Sequence, residues 1–407
     1  MKNRHLTRIV GANVILENEV VENGIVVLAD DHIVYAGHAE SAPPPAYEAA
    51  IGSHHYEGDP EHKDQAVVID AEGGWVLPGF IDMHVHGGGG ADFMDATSEA
   101  YETITRFHGR NGTTTMLATT MTAPREAIDR AIAAVAAFRT GDMPGADLLG
   151  VHVEGPFVNT DWRGAQNPAY IVPPQPEWAE AWERDYPGLV RQITLAPEID
   201  GALPFIQWLN ERGIVASSGH TAGTYEQLVA AADHGLRQAT HTYNAMTGLH
   251  HRKPGTLGAV MTDERVYAEI IADGHHVHPA AIQVLAKMKL PNRLIMITDA
   301  IAAAGLPDGD YELGGLPVVV KEGVCKLRDG DSLAGSTLTS INAFRYLVRE
   351  VGLTMAEASR CASGNPARQL GIADRTGTLA AGKAADLLLL SPDLELQQVW
   401  VKGRALL

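Results

Sequence analysis

The chain has 407 residues, of which 45% are hydrophobic and 20% charged, and it carries a formal net charge of −19. That balance speaks against a wholly disordered or membrane-embedded chain, and the negative field speaks against non-specific nucleic-acid binding because it repels phosphates. Its two cysteines, Cys325 and Cys361, stand far apart, which argues against a disulfide framework or a thiolate metal site and fits a reducing compartment.

The first residues, Met1 to Arg8, are basic, but the apolar run after them is broken at Asn13 and Glu17 before it reaches the length of a signal-peptide core. No uninterrupted apolar stretch is long enough to span a bilayer, so a cytoplasmic location with no membrane partner is expected. Residues 20–37 mix β-branched residues with the turn formers Asn23-Gly24 and Asp30-Asp31 and predict a short β-meander. Residues 38–66 contain Pro43, Pro44 and Pro45 without apolar periodicity, as in an inserted surface loop, and their His54-His55 pair reads as solvated.

From Val76 onward, strand-like runs alternate with helix-like stretches. The runs are FIDMHVH (80–86), TTTMLAT (113–119), DLLGVHVEG (147–155), VRQITLAPE (190–198), IVASSGH (214–220), QATHTYN (238–244), AEIIADG (268–274) and RLIMITDA (293–300). After the second comes an alanine-rich helix with Pro124 suited to its first turn and Thr122 available as a cap. Eight such units predict an α/β fold, a TIM-like (β/α)8 barrel. The tail from Gly377 returns to strands, with Lys402-Gly403 as a hairpin turn. The expected organisation is a small β-sandwich domain from residues 1–77 and 372–407, and a catalytic barrel over 78–371.

Active-site groups of such barrels sit at the C-terminal ends of the strands. Here His84 and His86 end the first run, Glu154 the third, His220 the fifth, His241 the sixth and Asp299 the eighth. These are imidazole and carboxylate donors of the kind that hold zinc or another first-row divalent metal. Residues two apart on a strand share a face, so His84 and His86 can serve one ion, while Glu154 can ligate one ion or bridge two. Asp299 follows a buried apolar run and suits proton transfer beside such a centre. Asn244 can hold a polar substrate, and Arg252 with Lys253 is the densest cation pair near the site elements, hence the place for an anion. Gly87 to Gly90 have neither P-loop nor dinucleotide spacing and read as a βα loop. Of His275, His276 and His278, one is expected to touch substrate.

With these residues in hand, the chain resembles the amidohydrolase superfamily, and within it the family of N-acetylglucosamine-6-phosphate deacetylases. The resemblance rests on PGFIDMHVHG (78–87), GVHVEGPFVN (150–159), SSGHTAGTY (217–225), THTYNAM (240–246), ADGHHVHP (272–279), TDA (298–300), LAGST (333–337), NPAR (365–368) and GTLAAGKAADLLLL (377–390). It implies metal-dependent deacetylation of N-acetyl-D-glucosamine 6-phosphate in amino-sugar metabolism. Glu154, His220 and His241 would form the principal metal site, His84 and His86 would supply a second, and Asp299 would be general base and acid. Gly155, Asn244, Ala245, His276 and Gln166 would line the sugar phosphate, and Arg252 would reach the neighbouring active site of a homodimer. Zinc is the foremost metal, with Fe2+, Mn2+ or Co2+ as alternatives and one or two ions per subunit. In Arg163-Gly164-Ala165-Gln166-Asn167-Pro168 the chain has glutamine where that family commonly has histidine. The competing readings are an amidohydrolase acting on acylated amino acids or cyclic amides, and a catalytically silent barrel.

Overall fold

The computed structural model describes residues 6–43 and 67–407, so His54 and His55 lie outside the described residues. The chain divides into two compact units, one running to Ile81 and resuming at Thr354, the other spanning Asp82 to Leu353. The division falls after the expected 77/78 and well before 371/372. Residues 354–371 go with the termini because their polar side chains bind there: the Arg360 guanidinium donates to Glu17 O (2.7 Å) and the Ser363 hydroxyl to Pro78 O (3.2 Å).

In the terminal unit the strands form one eight-stranded sheet. Its order is Arg404–Ala405, Leu396–Val401, Leu387–Leu390, Trp75–Pro78, Leu6–Ile15, Val20–Ala29 and His32–His38, with Val67–Asp70 also pairing Leu6–Ile15. Ile9, Val14, Val26 and Leu28 share one buried cluster with Leu387, Leu389 and Trp400 from the other end of that order. The sheet is therefore folded over its own apolar face in the manner of a sandwich. Lys402 and Gly403 both have positive φ (47° and 75°), the turn that a two-residue hairpin requires. Asp30 (φ 52°) makes the turn before His32, whereas Asn23-Gly24 lies inside the strand Val20–Ala29, where the register with Leu6–Ile15 slips, and not at a turn between strands.

The second sheet has eight strands that neighbour one another in sequence order. They are Phe80–Asp82, Thr113–Thr120, Asp147–Glu154, Val190–Leu195, Val215–Ser218, Gln238–Ala239, Tyr267–Ile271 and Leu294–Ile297. Pairing is parallel from the second strand onward. Each strand is followed by a helix, from Ser98–Gly109 after the first to Ser340–Arg349 after the eighth, so the architecture is a (β/α)8 barrel. Strands covered on both faces read as unbroken apolar or threonine runs, and every residue of Thr113–Thr120 and Asp147–Glu154 is buried. The helix Arg125–Phe138 buries Ile128, Ala131, Ile132, Val135 and Phe138, spacings that place them on one stripe. Pro124 stands one residue earlier than expected, at the N-cap, and Thr122 does not cap this helix.

The ring closes between its first and last strands just beyond their ends. Asp299 N donates to His84 O and His86 N donates to Ala300 O, each at 2.8 Å. Beneath them the buried Asp82 carboxylate accepts from the Thr298 hydroxyl (2.5 Å), Thr298 N (3.3 Å) and His84 N (3.2 Å). Between the eighth strand and its helix lies a three-stranded antiparallel sheet, Gly309–Leu313, Leu316–Lys321 and Val324–Leu327, which the eight-run reading did not contain. Its inner face packs Leu313, Val318 and Val320 against Met121 and Ile301. Among the described residues no helix is long and apolar enough to cross a membrane.

Replacing Thr298 with Val keeps the shape of the side chain but removes the hydroxyl donor from the buried Asp82. The expected cost is about 1–3 kcal/mol, read as a lower urea midpoint of unfolding. An unchanged midpoint would mean that the backbone donors alone satisfy Asp82.

Candidate metal centre

Sharp turns at the strand ends aim the candidate ligands over the barrel mouth. His220 (φ 49°), His241 (φ 32°), Ala245 (φ 47°) and Asp299 (φ 51°) all sit in the left-handed region that side-chain-bearing residues rarely adopt. Backbone hydrogen bonds hold these turns: Asn159 N to His220 O (2.9 Å), Thr221 N to Ala245 O (3.0 Å) and Ser336 N to Asp299 O (2.8 Å). Glu154 is the last residue of its strand. His84 and His86 lie just past the strand Phe80–Asp82, in backbone kept extended by Thr119 N to Val85 O (3.0 Å).

The six donors form two groups, His84 with His86 and Asp299, and Glu154 with His220 and His241; in each, the donor atoms lie within 4.8 Å of one another. Glu154 stands between them. Its Oε1 is 3.3 Å from Nε2 of His84, His220 and His241, and its Oε2 is 3.3 Å from Nε2 of His86. The Asp299 Oδ1 is 3.2 Å from His86 Nε2 and 3.4 Å from His84 Nε2. Imidazole nitrogens face each other at 3.1 Å (His220–His241) and 3.3 Å (His84–His86).

Lone pairs converging in this way repel unless a cation or shared protons lie among them. The contacts on the outward side of the rings favour the cation. His220 Nδ1 faces Trp162 O (3.1 Å) and His84 Nδ1 faces Glu269 Oε2 (3.2 Å), so a proton on each Nδ1 is used outward and each Nε2 points inward, where an ion can take the place of a proton. Glu269 is braced by Gln192 Nε2 (2.9 Å) and His241 N (3.2 Å). The set of four imidazoles and two carboxylates therefore fits one or two divalent ions.

Burial opposes charge on His84, His86, His241, Glu154 and Asp299, yet these groups hold each other charged. The Glu154 and Asp299 carboxylates raise His84 well above the ordinary histidine range, and His86 rises to about 9. Reciprocally, against the effect of burial, the His84 imidazole and its neighbours hold Glu154 well below the carboxylate range and lower Asp299.

A cavity of about 350 Å³ opens over the donors, a size suited to a small ligand. His86, Glu154, His220, His241 and Asp299 line it, with Gln166, Asn244, Ala245 and His276 from the sequence-derived substrate set. His84 lies fully buried behind them. Gly155 does not line the cavity; a Cβ there would stand 2.1 Å from Thr122 Oγ1, and φ is +72°, so the position demands glycine for packing. Arg252 is exposed on its loop beside His251 (Nη1–Nε2 2.6 Å) and does not line the cavity of its own chain.

Some neighbours escaped the sequence reading. Glu269 is a lone carboxylate inside an apolar strand, a signal present in AEIIADG but not used. Asp273 accepts from His275 N (2.8 Å), His276 N (2.9 Å) and His276 Nδ1 (2.6 Å), so it fixes the ring that lines the cavity. Trp162, from the short helical turn Thr160–Trp162, Leu313, which ends the strand Gly309–Leu313, and Leu333 add apolar wall.

Residues 75–406 match the amidohydrolase family. The chain is 41% identical over 329 residues to the N-acetylglucosamine-6-phosphate deacetylase of Vibrio furnissii, covering 81% of this chain and 82% of that relative. It is 40% identical over 337 residues to the N-acetylgalactosamine-6-phosphate deacetylase of Escherichia coli O157:H7, covering 83% and 89%. A solved structure of a mutant N-acetyl-D-glucosamine-6-phosphate deacetylase from Mycobacterium smegmatis, in complex with N-acetyl-D-glucosamine 6-phosphate, superposes with a TM-score of 0.87 at 34% identity over the whole of both chains.

Because the carboxylates keep His84 and His86 protonated in the metal-free chain, an entering ion must displace protons. Zinc added near pH 8 to apoprotein in weak buffer should release about one to two protons per chain, read with an indicator dye. Affinity should fall as pH drops from about 9, where His86 begins to take up its proton. Uptake of zinc without proton release would contradict the charge balance described.

Proposed function

The chain belongs to the amidohydrolase family, and on that premise we propose that it hydrolyses the acetamide of N-acetyl-D-glucosamine 6-phosphate to D-glucosamine 6-phosphate and acetate. The observation that carries this reading is the pair of three-donor groups meeting at Glu154 on the floor of a cavity walled by Asn244, Ala245 and His276. Glu154, His220 and His241 would hold one divalent ion, and His84, His86 and Asp299 a second. Such an ion, when bound, polarises a carbonyl oxygen and acidifies water. Zinc suits the donors, and Fe2+, Mn2+ and Co2+ suit them too.

Asp299 acts on the proton. Kept ionised by its imidazole neighbours, its carboxylate takes a proton from the attacking water as the new C–O bond forms at the acetyl carbon. The same proton then goes to the amine nitrogen as the C–N bond breaks. His276, steered by Asp273, and the turn at Asn244-Ala245 receive the sugar phosphate. Arg252 serves the phosphate of a second copy in a homodimer, a role supported by its exposure on a loop outside the lining of its own cavity. Two free, buried cysteines support a reducing, cytoplasmic setting.

The decisive assay is acetate release from N-acetylglucosamine 6-phosphate, its galacto epimer and unphosphorylated N-acetylglucosamine, before and after chelation. Metal-dependent release from the phosphorylated gluco sugar is expected. Stronger release from the galacto epimer would move the assignment to that sugar, and release from none would sink it. Asp299→Asn should cut kcat by about 10²–10⁴-fold while metal stays bound at the Glu154 group. Arg252→Ala and Asp273→Asn should each raise KM for the phosphorylated sugar about tenfold with kcat little changed, as expected for lost charged hydrogen bonds.

A further inference from the structure

Gln166 was expected to meet the substrate, yet its amide is engaged with the protein. Its Nε2 donates to Glu154 Oε2 at 2.7 Å, and its Oε1 accepts from Thr122 N at 2.9 Å. The orientation of the amide admits one solution: a backbone N–H can only donate, and a carboxylate can only accept. Gln166 is buried, at 3% exposure, and its own N–H is tied to Arg163 O (2.9 Å). Thr122 is a firm anchor, since its hydroxyl packs into the space that only the missing Cβ of Gly155 leaves. The side chain thus straps the end of the second barrel strand to the carboxylate that ends the third.

We propose that Gln166 is a positioning residue that fixes the plane of the Glu154 carboxylate, and with it the direction in which each oxygen faces the surrounding imidazoles. A glutamate held only by its stem rotates about its last torsion, which is broad and soft. Pinning Oε2 removes that freedom. Oε2 then faces His86, and Oε1 is left among His84, His220 and His241. The donor is a neutral amide, which neither loses its proton at working pH nor competes as a ligand through the nitrogen it presents. Partners that orient metal ligands in this way typically carry 10–100-fold of metal affinity. The inference rests on the metal-centre reading above and adds to it the residue that sets the bridge.

The test is competition for zinc between the full-length chain and a chromogenic chelator, paired with thermal unfolding of the metal-free proteins. Gln166→Met keeps the bulk and loses both hydrogen bonds; zinc affinity should fall by about 10–100-fold. Gln166→His retains a ring N–H able to reach Oε2, and should stay within about threefold of the unsubstituted chain. Undiminished affinity in Gln166→Met overturns the proposal, whether or not the metal-free unfolding temperature falls. Equal losses in both variants overturn it as well, because the shared feature would then not be the N–H. If the unsubstituted chain takes up no divalent metal at all, it is the metal-centre reading that fails.

Discussion

Four imidazole nitrogens brought within about van der Waals distance of two carboxylates are the constraint on which the rest of the structure depends. Without a positive charge at their centre the lone pairs repel, and every one of these groups has given up its water to be there. Only a scaffold that fixes each donor from a different direction can sustain that arrangement. A parallel barrel does so because its strands all end on one rim, so residues far apart in sequence converge without long side chains. The left-handed turns at His220, His241 and Asp299 complete the convergence by folding the chain inward as soon as each strand stops.

What fixes the donors is as informative as the donors. Trp162 O and Glu269 take the outward protons of His220 and His84, and Gln166 takes one oxygen of Glu154. Each of these contacts removes a degree of freedom that would otherwise have to be frozen when an ion arrives. Among the described residues the Asp299 Oδ1 meets only the imidazoles of His84 and His86, and Asp299 faces the cavity. A proton carrier needs that freedom, whereas a bridge does not. The division between braced Glu154 and open Asp299 matches the separate roles proposed for them.

The barrel was legible because its strands alternate with helices and because six metal-donor residues recur at strand ends. His84 and His86 show why the position could be read but not its form. The spacing placed both rings on one face, yet regular strand ends at Asp82 and the pair hangs on backbone bonds to Val85 and Ala300 that no local pattern announces. The sheet over 309–327 went unread because its strands are short and Val318-Val319-Val320 places apolar residues on both faces, which masks the alternation. Gln166 illustrates a different limit. A glutamine near a site is equally suited to substrate or to protein, and only the placement of Thr122 N and Glu154 Oε2 on either side decides between them. Gly155, which the resemblance sets against the sugar phosphate, stands where a Cβ would meet Thr122 Oγ1, a packing demand that no sequence pattern announces.

The closure of the barrel and the second group of donors are one structural feature. The bonds from Asp299 N to His84 O and from His86 N to Ala300 O join the first strand to the last, and the same residues present the three donors of that group. Opening the seam would separate Asp299 from both imidazoles at once, so an ion held by the three also staples the seam shut. The first group, Glu154 with His220 and His241, comes from the third, fifth and sixth strands and crosses no seam. An ion bound at the seam group would therefore tighten the barrel where it is joined, whereas one bound at the other group would not. Asp299, the residue proposed to carry the proton, sits on the seam side, so the proposed chemistry and the closure of the barrel share one residue.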